Sequence, residues 1–159
     1  MDISVVAVGK LRPYYRQAAD DYIRRLKRYA RIQEHEVREA GKAPSPTAQR
    51  VEEAARLEAK VAEGSTVIAL AREGMGWSSL ELSRQLDRWL LAARPISLII
   101  GGSAGLDPSL MGRALARWSL GPLTFPHELA RVVILEQIYR AYTILRGEPY
   151  HKGVTSHES

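Results

Sequence analysis

The sequence predicts an α/β fold, a mostly parallel sheet flanked by helices, and three observations carry that prediction. Segments of strand composition alternate along the chain with segments of helical periodicity. The strand-like segments, Ile96 to Ile100 most clearly, are apolar at consecutive positions and therefore on both faces, as in sheets covered from both sides. At 159 residues the chain suits one domain with a substantial core.

The elements follow in order. Ile3 to Val8 is a β-branched, apolar run closed by Gly9, a strand by composition and length. From Tyr15 the apolar positions Ala18, Ala19, Tyr22, Leu26 and Tyr29 form a helical stripe, with Arg24, Lys27, Arg28 and Arg31 largely opposite it. Ile32 to Val37 reads as a weaker strand. Ala40 to Pro46 contains Gly41, Pro44 and Pro46 and reads as a loop long enough to move. Ser45 and Pro46 suit the cap and first position of a helix that ends before Gly64. Thr66 to Ala71 is the next buried strand, followed by a glycine-containing loop, Arg72 to Trp77. Ser78 and Glu81 form a capping box ahead of Leu82, Leu86, Trp89 and Leu90, and Pro95 ends that helix. The strand Ile96 to Ile100 comes next, then a helix begun by Asp107 and Pro108, then a short strand-like piece around Trp118 to Phe125. The last helix spans about His127 to Arg146, stopped by Gly147 and Pro149. No repeat or low-complexity segment interrupts this order.

Composition excludes several classes of protein. There is no cysteine, so no disulfide framework, thiolate zinc site or cysteine nucleophile. The four histidines lie on unrelated segments without ligand spacing, so no metal is expected. No apolar stretch approaches the roughly 20 residues of a membrane span, and the opening MDISVVAVGK lacks a basic leader region. A cytoplasmic protein without a membrane partner is expected. The net charge is +5, but its distribution is uneven. Between Lys10 and Arg31 eight basic residues face two acidic ones, a net +6, while the rest of the chain sums to −1. Such a concentrated basic face suits a polyanion, nucleic acid first, although a merely solvated helix face has the same composition.

Two loops fall where open α/β sheets bind ligands, after the carboxyl ends of strands. One is Ile99 to Gly105, I-I-G-G-S-A-G, whose glycines let the backbone approach a ligand. It matches neither a dinucleotide fingerprint nor a phosphate loop. The other is Leu120 to His127, L-G-P-L-T-F-P-H, a stiff segment whose backbone groups suit a hydrogen-bonding edge such as adenine's. Taken alone, each also fits an ordinary turn or connector. His127 stands in the first turn of the last helix, where the helix dipole disfavours imidazolium, a setting that suits a general base. Tyr150, His151 and Lys152 join an aromatic ring to two polar or cationic groups, a set that suits a nucleotide base beside its phosphate. Composition and spacing do not identify the reaction.

Taken together, V-A-V-G-K at Val5 to Lys10, A-G-K at Ala40 to Lys42 and I-G-G-S-A-G at Ile100 to Gly105 resemble one family. W-S-L-G-P-L-T-F-P-H-E-L-A-R-V-V-I-L-E-Q-I-Y-R-A-Y at Trp118 to Tyr142 and R-G-E-P-Y-H-K ending at Lys152 complete the pattern. The chain resembles the ribosomal large-subunit methyltransferase H family, small SPOUT-class enzymes, over Met1 to Lys152. The resemblance implies a single domain, 1–152, whose C-terminal part threads a trefoil knot and which works as a homodimer. It implies S-adenosyl-L-methionine as cofactor and N3 of a pseudouridine in a stem-loop of large-subunit (23S) ribosomal RNA as substrate, within the ribosome or large subunit.

Carried over by position, the cofactor pocket comprises Leu70, Gly101, Leu120, Gly121, Pro122, Leu123, Thr124 and Phe125. His127, Arg131, Tyr150, His151 and Lys152 are the catalytic candidates, the last three completing the pocket from a partner subunit, and Arg24, Lys27, Arg28 and Arg31 are expected to contact RNA. Two departures stand out. Ala71 and Met75 replace an acidic residue and a lysine common in the family, and Gly153 to Ser159 extends past the usual end as a small, polar segment expected to be a disordered tail. A non-catalytic ribosome-binding factor and a SPOUT enzyme acting on transfer RNA are the competing expectations.

Overall fold

The protein is described here by a computed structural model covering residues 1–151. Lys152 and the expected tail, Gly153 to Ser159, lie outside the described residues. Five strands, β1 (Asp2–Val8), β2 (Arg31–Val37), β3 (Thr66–Met75), β4 (Ile96–Ile100) and β5 (Ala116–Trp118), form one sheet in the order β2-β1-β4-β3-β5. Every pairing is parallel, so the expected class is the observed one. The helices are α1 (Pro13–Leu26), α2 (Pro46–Glu58), α3 (Ser79–Leu91), α4 (Pro108–Arg113) and α5 (His127–Leu145), with a single 3₁₀ turn at Pro149–His151.

Alternation along the strands separates two cores. Ile3, Val5 and Ala7 of β1, Ile96, Leu98 and Ile100 of β4, and Trp118 of β5 meet Leu26 of α1, Leu82 and Leu86 of α3, and Ile134, Leu135 and Ile138 of α5. On the other face Val6, Val8, Val37, Val67, Ala69 and Ile99 meet Ala54 and Leu57 of α2 and Leu110 of α4. The register of Val5 with Leu98 and Val6 with Ile99 aligns both sets at the sheet centre. The caps follow the sequence. Ser45 accepts from the Ala48 N–H, Ser78 and Glu81 form a reciprocal box, and Asp107 accepts from the Ser109 N–H.

Three expectations need correction. β3 does not end at Ala71 but continues to Met75, because its register against β5 shifts after Leu70 and Met75 pairs again with Trp118. The short strand expected around Trp118 to Phe125 is confined to its leading edge, Ala116–Trp118, since β3 pairs only there. Arg28 and Arg31 are not on α1, which ends at Leu26. Arg28 sits in the following turn and Arg31 opens β2. The loop after Val37, expected to be long enough to move, is tied at its start. The carboxylate of Glu53, 1% exposed, accepts the Ala40 N–H at 3.0 Å and the Gln49 side-chain amide at 3.0 Å, and Ser103 donates to Glu39 at 3.1 Å. Position 53 lies beside Ala54 and Leu57 on the inward face of α2, a pattern legible in the sequence.

Among the described residues no helix is long and apolar enough to cross a membrane, and no group of three His, Asp or Glu residues is arranged to hold a metal.

Candidate functional site

The carboxyl ends of β4, β3 and β5 open into one cleft of about 580 Å³, a size typical of small-molecule sites. One wall is the turn from Gly101 to Leu106. The other is the stiff segment after β5, and Leu70, Ala71 and Arg72 of β3 lie between them. Leu70, Gly101, Leu120, Gly121, Leu123, Thr124 and Phe125, all expected in the cofactor pocket, line this cleft together with His127. Pro122, expected there too, is not among the lining residues.

The glycines are needed where backbone crowds backbone. A Cβ on Gly101 would come within 2.7 Å of the Gly105 carbonyl carbon and 2.8 Å of its oxygen. Gly121 has φ +104°, which a side chain rarely adopts, so the turn that starts the stiff segment depends on glycine. Arg72 of β3 donates to the Thr124 hydroxyl across the cleft, and Arg50 of α2 donates to the Ala104 carbonyl at 3.3 Å. Apolar side chains such as Leu106 and Met111, backbone edges of Leu120 to Phe125 and these two cations make a donor set suited to a nucleoside carrying a charged tail.

A second construction holds His127. The loop after β1 is clamped to the start of α5 by two residues of that helix. Glu128, buried, accepts from the Arg12 backbone N–H at 2.8 Å and from Arg12 Nε at 2.7 Å. Burial alone would raise the Glu128 carboxyl, but the bonds from Arg12 outweigh it and hold the group below the ordinary carboxylate range. One turn on, the guanidinium of Arg131 donates to the Gly9 carbonyl at 2.8 Å and pairs with Glu36 of β2, with Glu34 at 3.6 Å. His127 is half-buried at the cleft floor, its Nε2 3.9 Å from where a Gly9 Cβ would sit.

Arg131, one turn beyond His127, is enclosed rather than part of the cleft lining. Its side chain is 1% exposed, and its charge is met by two carboxylates and a backbone carbonyl. It fixes the loop beside which His127 lies. Glu128, Glu34 and Glu36 were missed, because their partners are far away in sequence.

Within one chain the structure does not bring Tyr150 to the cleft. Its hydroxyl donates to Glu136 at 2.9 Å, its ring meets Tyr139 edge-on at 4.8 Å, and the Arg140 guanidinium lies 4.9 Å from the ring centre. Burial first, and then the bond to Glu136, push its phenol well above the ordinary tyrosine value, so it stays a neutral donor. Glu136 is nine residues beyond His127, about 13 Å along the helix. The backbone of His151 ends the 3₁₀ turn.

The basic residues are less free than their count suggests. Arg24 pairs with Asp21, Arg28 with Glu148 at 3.2 Å and Arg31 with Asp2 at 2.6 Å. Lys27 caps the end of α1 and is exposed.

Comparison with known proteins agrees in extent with this architecture. The family model described as "Predicted SPOUT methyltransferase" matches residues 1–151. A protein from an Anaeromyxobacter species named "Ribosomal RNA large subunit methyltransferase H" is 44% identical over 153 residues, covering 96% of this chain and 100% of the relative. One of the same name from Nitratidesulfovibrio vulgaris is 42% identical over 151 residues, covering 94% and 97%. A solved SpoU methyltransferase, AviRb from Streptomyces viridochromogenes in complex with AdoMet, aligns with a TM-score of 0.47 at 12% identity, covering 89% of this chain and 58% of that one.

Proposed function

The chain belongs to the SPOUT methyltransferase family, and from that premise we propose that it transfers the methyl group of S-adenosylmethionine to N3 of a pseudouridine in large-subunit ribosomal RNA. The observation that carries this reading is the cleft itself. A glycine turn and a stiff, backbone-presenting segment converge at the carboxyl ends of parallel strands, with a histidine on the floor. The relatives that share about two-fifths of the sequence over nearly the full length bear the name of a large-subunit ribosomal RNA methyltransferase, which supports the substrate class.

The residues present fit the cofactor. Leu70, Leu106 and Met111 give apolar walls, and the backbone of Leu120 to Phe125 offers donors and acceptors to an adenine edge. When bound, the cofactor supplies an electrophilic methyl on a sulfonium. The chain's own work is to hold the base in line with that methyl and to deal with the N3 proton. As N3 forms its bond to carbon, its proton leaves. His127, on the first turn of α5 that Glu128 ties to the loop after β1, accepts it. Arg131 contributes by positioning, since it ties Gly9, Glu36 and α5 into one unit.

One feature supports a homodimer. α5 is apolar on nearly every side, yet Leu129, Val132 and Val133 remain only half-buried in the single chain. In that reading Tyr150, His151 and Lys152 are assigned to the site of the other subunit rather than to the chain's own. Arg24, Lys27, Arg28 and Arg31 contact phosphates and carry no base specificity. After β4 the chain passes β3 to form β5 and returns as α5 against α1 and α3, a path that accommodates the C-terminal knot of the family.

The test is methyl transfer from radiolabelled S-adenosylmethionine to ribosomes, free large subunits and bulk transfer RNA, with the product nucleoside identified. Label in pseudouridine of large-subunit RNA is expected. Label in transfer RNA alone would overturn the substrate, and absence of cofactor binding by calorimetry would overturn the enzyme.

A further inference from the structure

The loop that Glu128 and Arg131 clamp carries more than a prop for His127. Arg12 and Tyr14 stand at its outer end, where it enters α1. Tyr14 is 58% exposed, high for an aromatic ring. The Arg12 guanidinium lies 5.2 Å from the Tyr14 ring centre and 5.5 Å from that of Tyr15, and the two rings are 4.7 Å apart, tilted by 50°. Arg12 is not free to leave this arrangement. Its Nε and its backbone N–H are both held by Glu128, whose side chain is 8% exposed, while the rest of the Arg12 side chain remains in solvent. A buried carboxylate thus uses both of its oxygens to fix an exposed cation against an exposed ring. The Glu128 bonds clamp the loop to α5, but that clamp does not call for an aromatic ring outside it, and an exposed tyrosine at the second position of a helix is not needed to form that helix.

From this ledge a shallow groove of about 440 Å³ runs along α1, lined by Tyr14, Gln17, Ala18, Asp21 and Arg24. Those positions share one helix face, and from Tyr14 to Arg24 they span about 15 Å. The groove therefore joins the ledge, tied through Glu128 to the first turn of α5, to the basic end of α1.

We propose that Arg12 and Tyr14 form a stacking platform for an unpaired nucleotide of the RNA substrate, next to the target base, with the strand's backbone following the groove toward Arg24 and Lys27. An aromatic face beside a guanidinium is the surface on which single-stranded nucleotides stack, tolerant of base identity because every base has a π-face. The proposal rests on the reading of the chain as an RNA methyltransferase, but its test does not require methylation. The platform recognises bases, whereas the phosphate-contacting residues recognise charge.

The experiment measures fluorescence anisotropy of the full-length protein at low salt with two labelled single-stranded RNAs of equal length, one adenosine-containing and one with abasic residues at its centre. The wild type is expected to bind the first on the order of tenfold more tightly. Tyr14→Leu is expected to abolish that preference, and Tyr14→Trp to keep it, with the salt slope unchanged in both. Unaltered urea midpoints and cofactor affinities would show that the fold and the cleft are intact. Equal binding of the two RNAs by the wild type, or an undiminished preference in Tyr14→Leu, would overturn the platform. So would intact RNA preference with lost binding to ribosomes in Tyr14→Leu, which would hand the surface to a ribosomal protein. Retained base preference in a protein that transfers no methyl to any RNA would overturn the catalytic reading and leave the platform standing.

Discussion

Arg131→Met separates a structural arginine from a catalytic one. Methionine keeps the apolar stem of the side chain and removes the guanidinium. In the native protein that guanidinium, 1% exposed, pairs with Glu36, lies 3.6 Å from Glu34 and donates to the Gly9 carbonyl at 2.8 Å. Removing one partner of a buried pair costs about 3–5 kcal/mol, because the carboxylates left behind lose their counter-charge. Glu34 and Glu36 retain 16% and 27% side-chain exposure, and Arg16 also faces both. Residual solvation places the expected loss at the lower end, about 3 kcal/mol. With a urea slope of about 2 kcal/mol per molar, the unfolding midpoint should fall by about 1.5 M. Fluorescence of the neighbouring Trp77, Trp89 and Trp118 reports the transition. Adding Glu36→Gln to Arg131→Met should recover part of the loss, since it removes one of the stranded charges. A variant with the wild-type midpoint but no methyl transfer would refute this reasoning and return Arg131 to the chemistry.

Other outcomes follow from the same geometry. Gly101→Val puts a branched side chain against the Gly105 backbone, 2.7 Å from its carbonyl carbon at Cβ alone. A stability loss of about 1–3 kcal/mol and loss of cofactor binding by calorimetry are expected, and unchanged affinity in the folded variant would remove the turn from the site. Replacing Arg24, Lys27, Arg28 and Arg31 with alanine should weaken RNA binding and flatten log K against log salt by roughly 0.7–0.9 for each phosphate no longer neutralised, with the modified nucleotide unchanged. Wild-type affinity and slope would show a merely solvated face. Deleting Gly153 to Ser159 should leave methyl transfer intact, while deletion from Tyr150 should abolish it and spare cofactor binding; full activity in the longer deletion would refute this. The Glu128 carboxyl is held below its unfolded value of about 4.3, so its contribution is present above that pH and lost as pH falls through the lower folded value. The stability gap between wild type and Glu128→Gln should be constant from pH 6 to 8 and narrow on acidification, and a gap that widens instead would contradict the assignment.

Much of the fold was legible because its signals are local. Capping at Ser45, at Ser78 with Glu81 and at Asp107 involves residues three or fewer apart, so spacing alone reveals it. The runs Ile3 to Val8 and Ile96 to Ile100 announce strands buried on both faces, and the glycine turn and the stiff segment could be recognised as the two walls of a site.

What the sequence left undecided depends on partners distant along the chain. β3 reaches Met75 only because Trp118 pairs with it, and nothing in Arg72 to Met75 by itself favours a strand. Arg131 looks like an available cation until Glu36 and Gly9, 95 and 122 residues away, are seen to enclose it. Tyr150 resembles a free stacking ring until Glu136, Tyr139 and Arg140 are found around it. Arg28 and Arg31 counted as open positive charge, yet each lies against a carboxylate from another part of the chain, Glu148 and Asp2. Composition and periodicity alone therefore determined which segments would form helices and strands, and which loops would meet at the ends of the sheet. The tertiary structure decided which charges remain available for chemistry, because a charge is neutralised by whatever the fold sets within a few ångströms of it, at any distance along the chain.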